Sequence, residues 1–161
     1  MTQMARTAQP PDRDLASVAA LVGDPARAAM LTALAEARTC YDHLAGRRGV
    51  ELRDRLLAAG ALHVLDDRDH ALTATGERLV TALGIDLDRV RAARRVFARS
   101  CLDWTQRRPH LAGALPAALT GRFLALGWLG RRGGRGLRVA AHYDQSLDRW
   151  LAPPGMPEPT S

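Results

Sequence analysis

Apolar residues in this chain come in short bursts broken by arginine, aspartate or glycine, and the spacing within the bursts changes along the sequence. Over residues 15–22, Leu15, Val18, Ala19 and Val22 share one face at helical spacing, and Gly23 stops the run. Asp24 and Pro25 then mark a second helix start, an N-cap followed by proline at the first helical position, with Ala29, Met30, Leu31 and Leu34 as its stripe. Helices are predicted near residues 50–59 and 116–126, closing on Ala59-Gly60 and Leu126-Gly127. A hairpin pattern and another helix follow each of these. The first hairpin runs from residue 61 through the polar turn Asp66-Asp67-Arg68-Asp69 to residue 73. The second runs from residue 128 through the arginine- and glycine-rich turn at 131–136 to residue 139. Between them Asp86 caps a helix carrying Leu87, Val90, Ala93 and Phe97 on one side and arginines on the other.

This grammar is written twice. The string Cys40-Tyr41-Asp42-His43-Leu44-Ala45-Gly46 recurs as Cys101-Leu102-Asp103, an insert, and His110-Leu111-Ala112-Gly113. Gly46 precedes Gly60 by 14 positions, as Gly113 precedes Gly127. At the same offset of 67, Arg55 matches Arg122, Leu57 matches Leu124 and Leu62 matches Leu129. An internal duplication is the economical explanation. The fold class expected is mainly α with short β-hairpins, built as two winged-helix-like units. The predicted division is a tail over 1–14, N-terminal helices over 15–37, a first unit over 38–83, a connecting helix over 84–100, a second unit over 101–150 and a tail over 151–161.

Composition narrows the class. Apolar residues make up 47% of the 161 positions but aromatic ones only 4%, so the core must be leucine, alanine and valine, which favours helix packing. No apolar run approaches the roughly 20 residues needed to cross a bilayer. The first 14 residues have no signal-peptide pattern, so a cytoplasmic location without membrane attachment is expected. Two cysteines make no disulfide framework. The net charge of +6 suits a polyanion such as double-stranded DNA, although all 23 basic residues are arginine, which also fits a compositional bias.

Cys40, His43, Cys101 and His110 form a candidate metal set, two thiols and two imidazoles suited to zinc or another thiophilic ion. Asp42 and Asp103 are placed to orient the histidines. The competing reading makes the cysteines small buried apolar residues and the histidines capping groups. Arg131, Arg132, Arg135 and Arg138 on the second hairpin are the candidate DNA contacts, and the acidic first hairpin is excluded from that role. His63, His70 and His142 are expected to be exposed, and Trp104, Trp128 and Trp150 to anchor core or interface. No Ser/His/Asp string, nucleotide loop or His-Glu metalloprotease motif is present, so no catalytic role is expected.

The stretch Leu15-Ala16-Ser17-Val18-Ala19-Ala20-Leu21-Val22-Gly23-Asp24-Pro25-Ala26-Arg27-Ala28-Ala29-Met30-Leu31 resembles the opening of ArsR/SmtB-type regulators, small dimeric winged-helix repressors. The Cys40–Gly46 string and its counterpart from Cys101 through Trp104 to Gly113 resemble the C-terminal extension of one branch of that family. The resemblance implies a homodimeric repressor released from DNA by a small-molecule or metal effector. The chain departs from the pattern after Ala37: where the family carries a Ser/Thr-rich recognition helix and a wing, it passes directly to Arg38-Thr39-Cys40. The expectation is therefore an ArsR-type DNA-binding regulator with a sensing C-terminal half. The alternative is a sensing module that does not bind DNA and pairs with an intact regulator.

Overall fold

The computed structural model describes residues 23–152. The helix expected over 15–22, the tail over 1–14 and all of the tail expected over 151–161 except its first two residues lie outside the described residues; Leu151 ends the last helix instead. Two compact units divide the chain, one ending at Thr32 and the other beginning at Ala33. Helix α1 (Pro25–Glu36) crosses that boundary. Its start is as the sequence predicts: Asp24 Oδ1 accepts from the Ala26 amide at 2.8 Å, and proline occupies the first position. The stripe behaves otherwise, since no residue of α1 is buried and Met30 is 62% exposed.

From Ala33 onward the duplication is visible in three dimensions. The first copy contains β1 (Arg38–Cys40), β2 (His43–Ala45), α2 (Arg47–Ala58), β3 (Leu62–Val64), β4 (His70–Leu72) and α3 (Ala74–Ala82). The short α4 (Leu87–Arg91) connects it to the second copy. That copy contains β5 (Arg99–Leu102), β6 (Pro109–Ala112), α5 (Ala114–Ala125), β7 (Leu129–Arg132), β8 (Gly136–Val139) and α6 (Tyr143–Leu151). The architecture among the described residues is thus mixed α/β, with hairpins taking a larger share than the leucine-rich composition suggests. Asp86 does cap α4, accepting from the Arg89 amide at 3.0 Å, but the helix ends at Arg91, short of the predicted connecting helix.

The copies interlock by exchanging partners. β1 pairs with β2 and also with β8, giving a four-stranded antiparallel sheet in the order β2-β1-β8-β7. Reciprocally, β5 meets the end of the β3–β4 hairpin through the Asp69–Arg99 bridge. The bonds match one for one. Leu137 N donates to Ala37 O as His70 N donates to Ala98 O, and Thr39 N donates to Arg135 O as Ser100 N donates to Arg68 O. Each copy's first hairpin therefore closes on the other copy's second hairpin, which saturates edge-strand amides that a single copy would leave open.

Corresponding apolar positions fill one core. Leu52, Leu56 and Leu62 of the first copy are buried, as are their equivalents Leu119, Phe123 and Leu129. Phe123 stacks on Trp128 at 5.0 Å and meets Trp150 edge-on at 5.8 Å. Both α2 and α5 begin at a glycine with positive φ, Gly46 (79°) and Gly113 (121°). A Cβ on Gly46 would lie 2.8 Å from Ala35 O, and one on Gly113 would lie 2.5 Å from Val96 O. Only glycine permits that backbone approach.

Two expectations are corrected here. His70 is buried, because the exchange with Ala98 turns β4 into the space between the copies, while His63 and His142 are exposed as expected. Of the two roles expected of Trp104, core or interface anchor, the structure removes the first: it is 67% exposed in the β5–β6 loop, where the Arg38 guanidinium lies 4.7 Å from its ring centroid. Trp128 and Trp150 do pack against the core.

Candidate metal centre

The two first hairpins carry the candidate ligands in matching register. In the β1–β2 hairpin Cys40 lies directly opposite His43, and in the β5–β6 hairpin Cys101 lies directly opposite His110. Side chains of directly opposed residues stand on the same sheet face, so each hairpin presents one thiol and one imidazole together. The turns differ. The first is the two-residue Tyr41-Asp42 connection, with Tyr41 at φ 65°, whereas the second loops through Asp103-Trp104-Thr105-Gln106-Arg107-Arg108 before returning. This loop holds most of the insert seen in the sequence, and it leaves the Cys-to-His pairing intact.

All four side chains converge. One donor atom from each of Cys40, His43, Cys101 and His110 lies within 4.8 Å of the other three. The His43 and His110 rings stack at 5.2 Å and are buried, while both cysteines are free and partly exposed. Among the described residues, His43 Nε2 and both ring nitrogens of His110 have no hydrogen-bond partner. Buried polar atoms are normally satisfied, and an ion bound to one nitrogen of each ring would give His43 Nε2 and one nitrogen of His110 a partner. A tetrahedron of zinc–sulfur and zinc–nitrogen bonds has edges of about 3.3–3.8 Å, so a contraction of about 1 Å would close the set on an ion. The donors present therefore fit a tetrahedral thiophilic metal.

Electrostatics favour the imidazole half of that chemistry. Burial pushes His110 down to about 4, with the His43 ring adding to the shift, and burial also lowers His43. Both shifts favour the neutral imidazole, the form that can donate a lone pair to a metal. Burial and the neighbouring Cys40 sulfur raise the Cys101 thiol. Two thiolates would balance a divalent cation, giving a site of zero net charge, the form least costly to bury.

Asp42 and Asp103 stand behind the histidines as expected. Asp42 Oδ1 is 3.4 Å from His43 Nδ1, and Asp103 Oδ2 is 3.6 Å from His110 Nδ1. Their settings differ. Asp42 is partly exposed and paired with Arg95, whose guanidinium holds its carboxyl below the usual range. Asp103 is fully buried. It takes the Arg38 guanidinium at 2.8 Å and the Gly46 amide at 2.7 Å on one oxygen, and the Thr105 hydroxyl (2.7 Å), Thr105 amide (2.9 Å) and Gln106 amide (3.1 Å) on the other. Burial alone would raise its carboxyl, but these donors outweigh it and hold the group well below the ordinary carboxylate range. Arg38 reaches on to Leu34 O at 3.0 Å and Gln106 Nε2 to Ala35 O at 3.2 Å, so the same cluster fixes the last turn of α1. No local pattern marks Arg38 or Gln106, which lie 65 and 71 positions from their partners.

The candidate DNA contacts lie elsewhere. Arg131 and Arg132 end β7, Arg135 lies in the turn and Arg138 is on β8. All four are exposed, and none forms a salt bridge among the described residues. The equivalent β3–β4 turn is closed by Asp66 Oδ1, which accepts from the Arg68 and Asp69 amides, and it presents carboxylates.

Comparison with known proteins gives one line of relationship. Over 95 residues the chain is 45% identical to a Bacillus subtilis (strain 168) protein described as an uncharacterized HTH-type transcriptional regulator, YdfF. The match takes in 59% of this chain and 42% of that protein, so the chain spans less than half the length of this relative. No protein-family model matches the chain, and no solved structure does.

Proposed function

We propose that the chain acts in a DNA-binding transcriptional regulator of ArsR type, in which the duplicated unit is a metal-responsive sensing half. The observation that carries the sensing role is the convergence of Cys40, His43, Cys101 and His110. The regulator role draws its support from the similarity to the relative described as an HTH-type transcriptional regulator. Zinc is the proposed ion. It is d10 with no geometric demand of its own, and mixed thiolate–imidazole sets are its common structural environment. Arg131, Arg132, Arg135 and Arg138 are the proposed phosphate contacts, on a hairpin whose glycines let the tip follow a groove. The active form is proposed to be a cytoplasmic homodimer, since two-fold operators call for two-fold readers.

Fluorescence anisotropy against DNA from upstream of its own gene and against a scrambled duplex, with and without zinc, tests this reading. Support would be an upstream preference of about a hundredfold that survives physiological salt and changes when zinc is added. Equal binding to both duplexes, erased by salt, would end the DNA-reading role. Zinc binding without any DNA preference would leave the alternative, a sensing module that pairs with an intact regulator. Zinc binding that is unchanged by Cys40→Ser with Cys101→Ser would remove the metal site itself.

A further inference from the structure

We propose that Cys40 and Cys101 form a reversible intramolecular disulfide, and that closing it empties the metal site. The antagonism with metal rests on the metal reading above, whereas the disulfide rests on the thiols alone. They are the only two cysteines in the chain, so the pairing is unique. They occupy equivalent positions in the two copies, and their sulfurs belong to the set of atoms lying within 4.8 Å of one another. Both are partly exposed while the imidazoles behind them are buried, so the sulfur edge of the site is the one a solvent-borne reagent meets. The β5–β6 pair forms its own two-stranded sheet, separate from the sheet containing β1 and β2. The two hairpins are therefore not locked to each other by a strand ladder at the cysteines, and side-chain rotation with a small approach can bring the sulfurs to a bond of about 2.0 Å.

The chemistry balances with a low-molecular-weight disulfide as oxidant. One protein thiolate attacks a sulfur of the small disulfide, forming a mixed disulfide and expelling one small thiolate. The second protein thiolate attacks the protein sulfur of that mixed disulfide, forming the Cys40–Cys101 bond and expelling the other small thiolate. The protein loses two electrons and two protons, and the oxidant becomes two thiols. Neither sulfur then remains a thiolate, and two imidazoles alone make a weak site. Conversely, a bound ion occupies both sulfurs and slows the first attack.

The test uses the full chain, metal-stripped or zinc-loaded, exposed to oxidised glutathione and followed by intact mass. The metal-stripped protein should lose about 2 Da as a monomer, while the zinc-loaded protein reacts at least about tenfold more slowly. After oxidation, zinc affinity should fall by at least about a hundredfold and return with dithiothreitol. Cys40→Ser and Cys101→Ser should each stop at one glutathione adduct. A metal-stripped wild type that accumulates two glutathiones per chain, links to a second chain or does not react overturns the proposal. Disulfide formation in a protein that never binds zinc sinks the metal reading and the antagonism with it, and leaves the disulfide standing. Tight zinc binding without an intramolecular disulfide sinks only this inference.

Discussion

Replacing Asp103 by asparagine isolates the contact that joins the two ligand-bearing hairpins. Five donors converge on this buried carboxylate, from Arg38, Gly46, Gln106 and twice from Thr105. An asparagine keeps one acceptor oxygen and turns an NH2 group toward the other set. In either orientation the nearly buried Arg38 guanidinium loses its counter-charge, and if the NH2 faces Arg38 and Gly46 both also lose their acceptor. If it faces Thr105 and Gln106, two backbone amides are orphaned. Each stranded buried donor costs about 1–3 kcal/mol, and removing one partner of a buried ion pair costs about 3–5 kcal/mol. The two overlap here, so a loss of about 3–5 kcal/mol is expected, a large share of the total stability of a domain this size. The control is Asp42→Asn, whose carboxylate is 40% exposed beside Arg95 and should cost less than about 1 kcal/mol. Urea denaturation of the metal-free proteins at pH 7, followed by circular dichroism, measures both. The Asp103 carboxyl sits below its unfolded value, so its contribution is complete above the ordinary carboxylate range and is lost as pH falls through it. The gap between wild type and Asp103→Asn should therefore narrow below about pH 4. Equal, small losses for the two variants at pH 7 would refute the reasoning.

Three further outcomes are expected. Gly49→Ala should destabilise by about 1–3 kcal/mol by overpacking, because its Cβ would sit 2.5 Å from Leu44 O and 3.4 Å from the His110 Cβ; a thermal midpoint matching wild type would show that α2 can shift freely. The buried rings of His43, His70 and His110 all have lowered values in the fold, so as pH drops below the ordinary imidazole range the unfolded chain takes up protons first and stability falls. Melting of the metal-free protein should be highest above about pH 6.5, and His70→Leu should flatten the decline; an unchanged pH slope in that variant counts against it. Replacing Arg131, Arg132, Arg135 and Arg138 by alanine should reduce the slope of log K against log salt for DNA by about 0.9 per arginine that meets a phosphate, without lowering the melting point. A slope equal to wild type would move the DNA contact elsewhere on the chain.

What could be read in advance divides along physical lines. Helix starts at Asp24-Pro25 and Asp86, and the stops at Gly60 and Gly127, are local events, and the structure places them where the residue types direct. The duplication was legible because both copies keep the glycines and leucines that face the core. The exchange of hairpins was not, since a strand's partner is chosen by global closure and the edge of β1 can be satisfied by any strand of suitable twist. That one unseen event accounts for the buried His70, which stands where β4 turns toward the other copy. It also explains why Arg38, ordinary in the sequence, is drawn inward beside β8 and onto Asp103.

The same exchange gives a physical reason for four ligands at one point. In a fold made of two interlocked copies, residues near the relating axis meet their own equivalents, as the stacked His43 and His110 do. A Cys-x-x-His hairpin alone offers two donors, too few to hold an ion tightly. Placed beside that axis, the half-site is completed by its copy, and a fourfold set arises without any new ligand having to be acquired. The six-residue insert falls between Cys101 and His110, where it could have destroyed the match. It is tolerated because the strands that carry these two residues still pair in the original register, Cys101 opposite His110 as Cys40 is opposite His43. The extra chain instead forms the loop in which Asp103 sits, and that buried carboxylate ties the second hairpin to Arg38 and Gly46 of the first. Sequence spacing counted along the chain makes Cys101 and His110 an irregular pair; counted across the ladder, they are as close as the regular one.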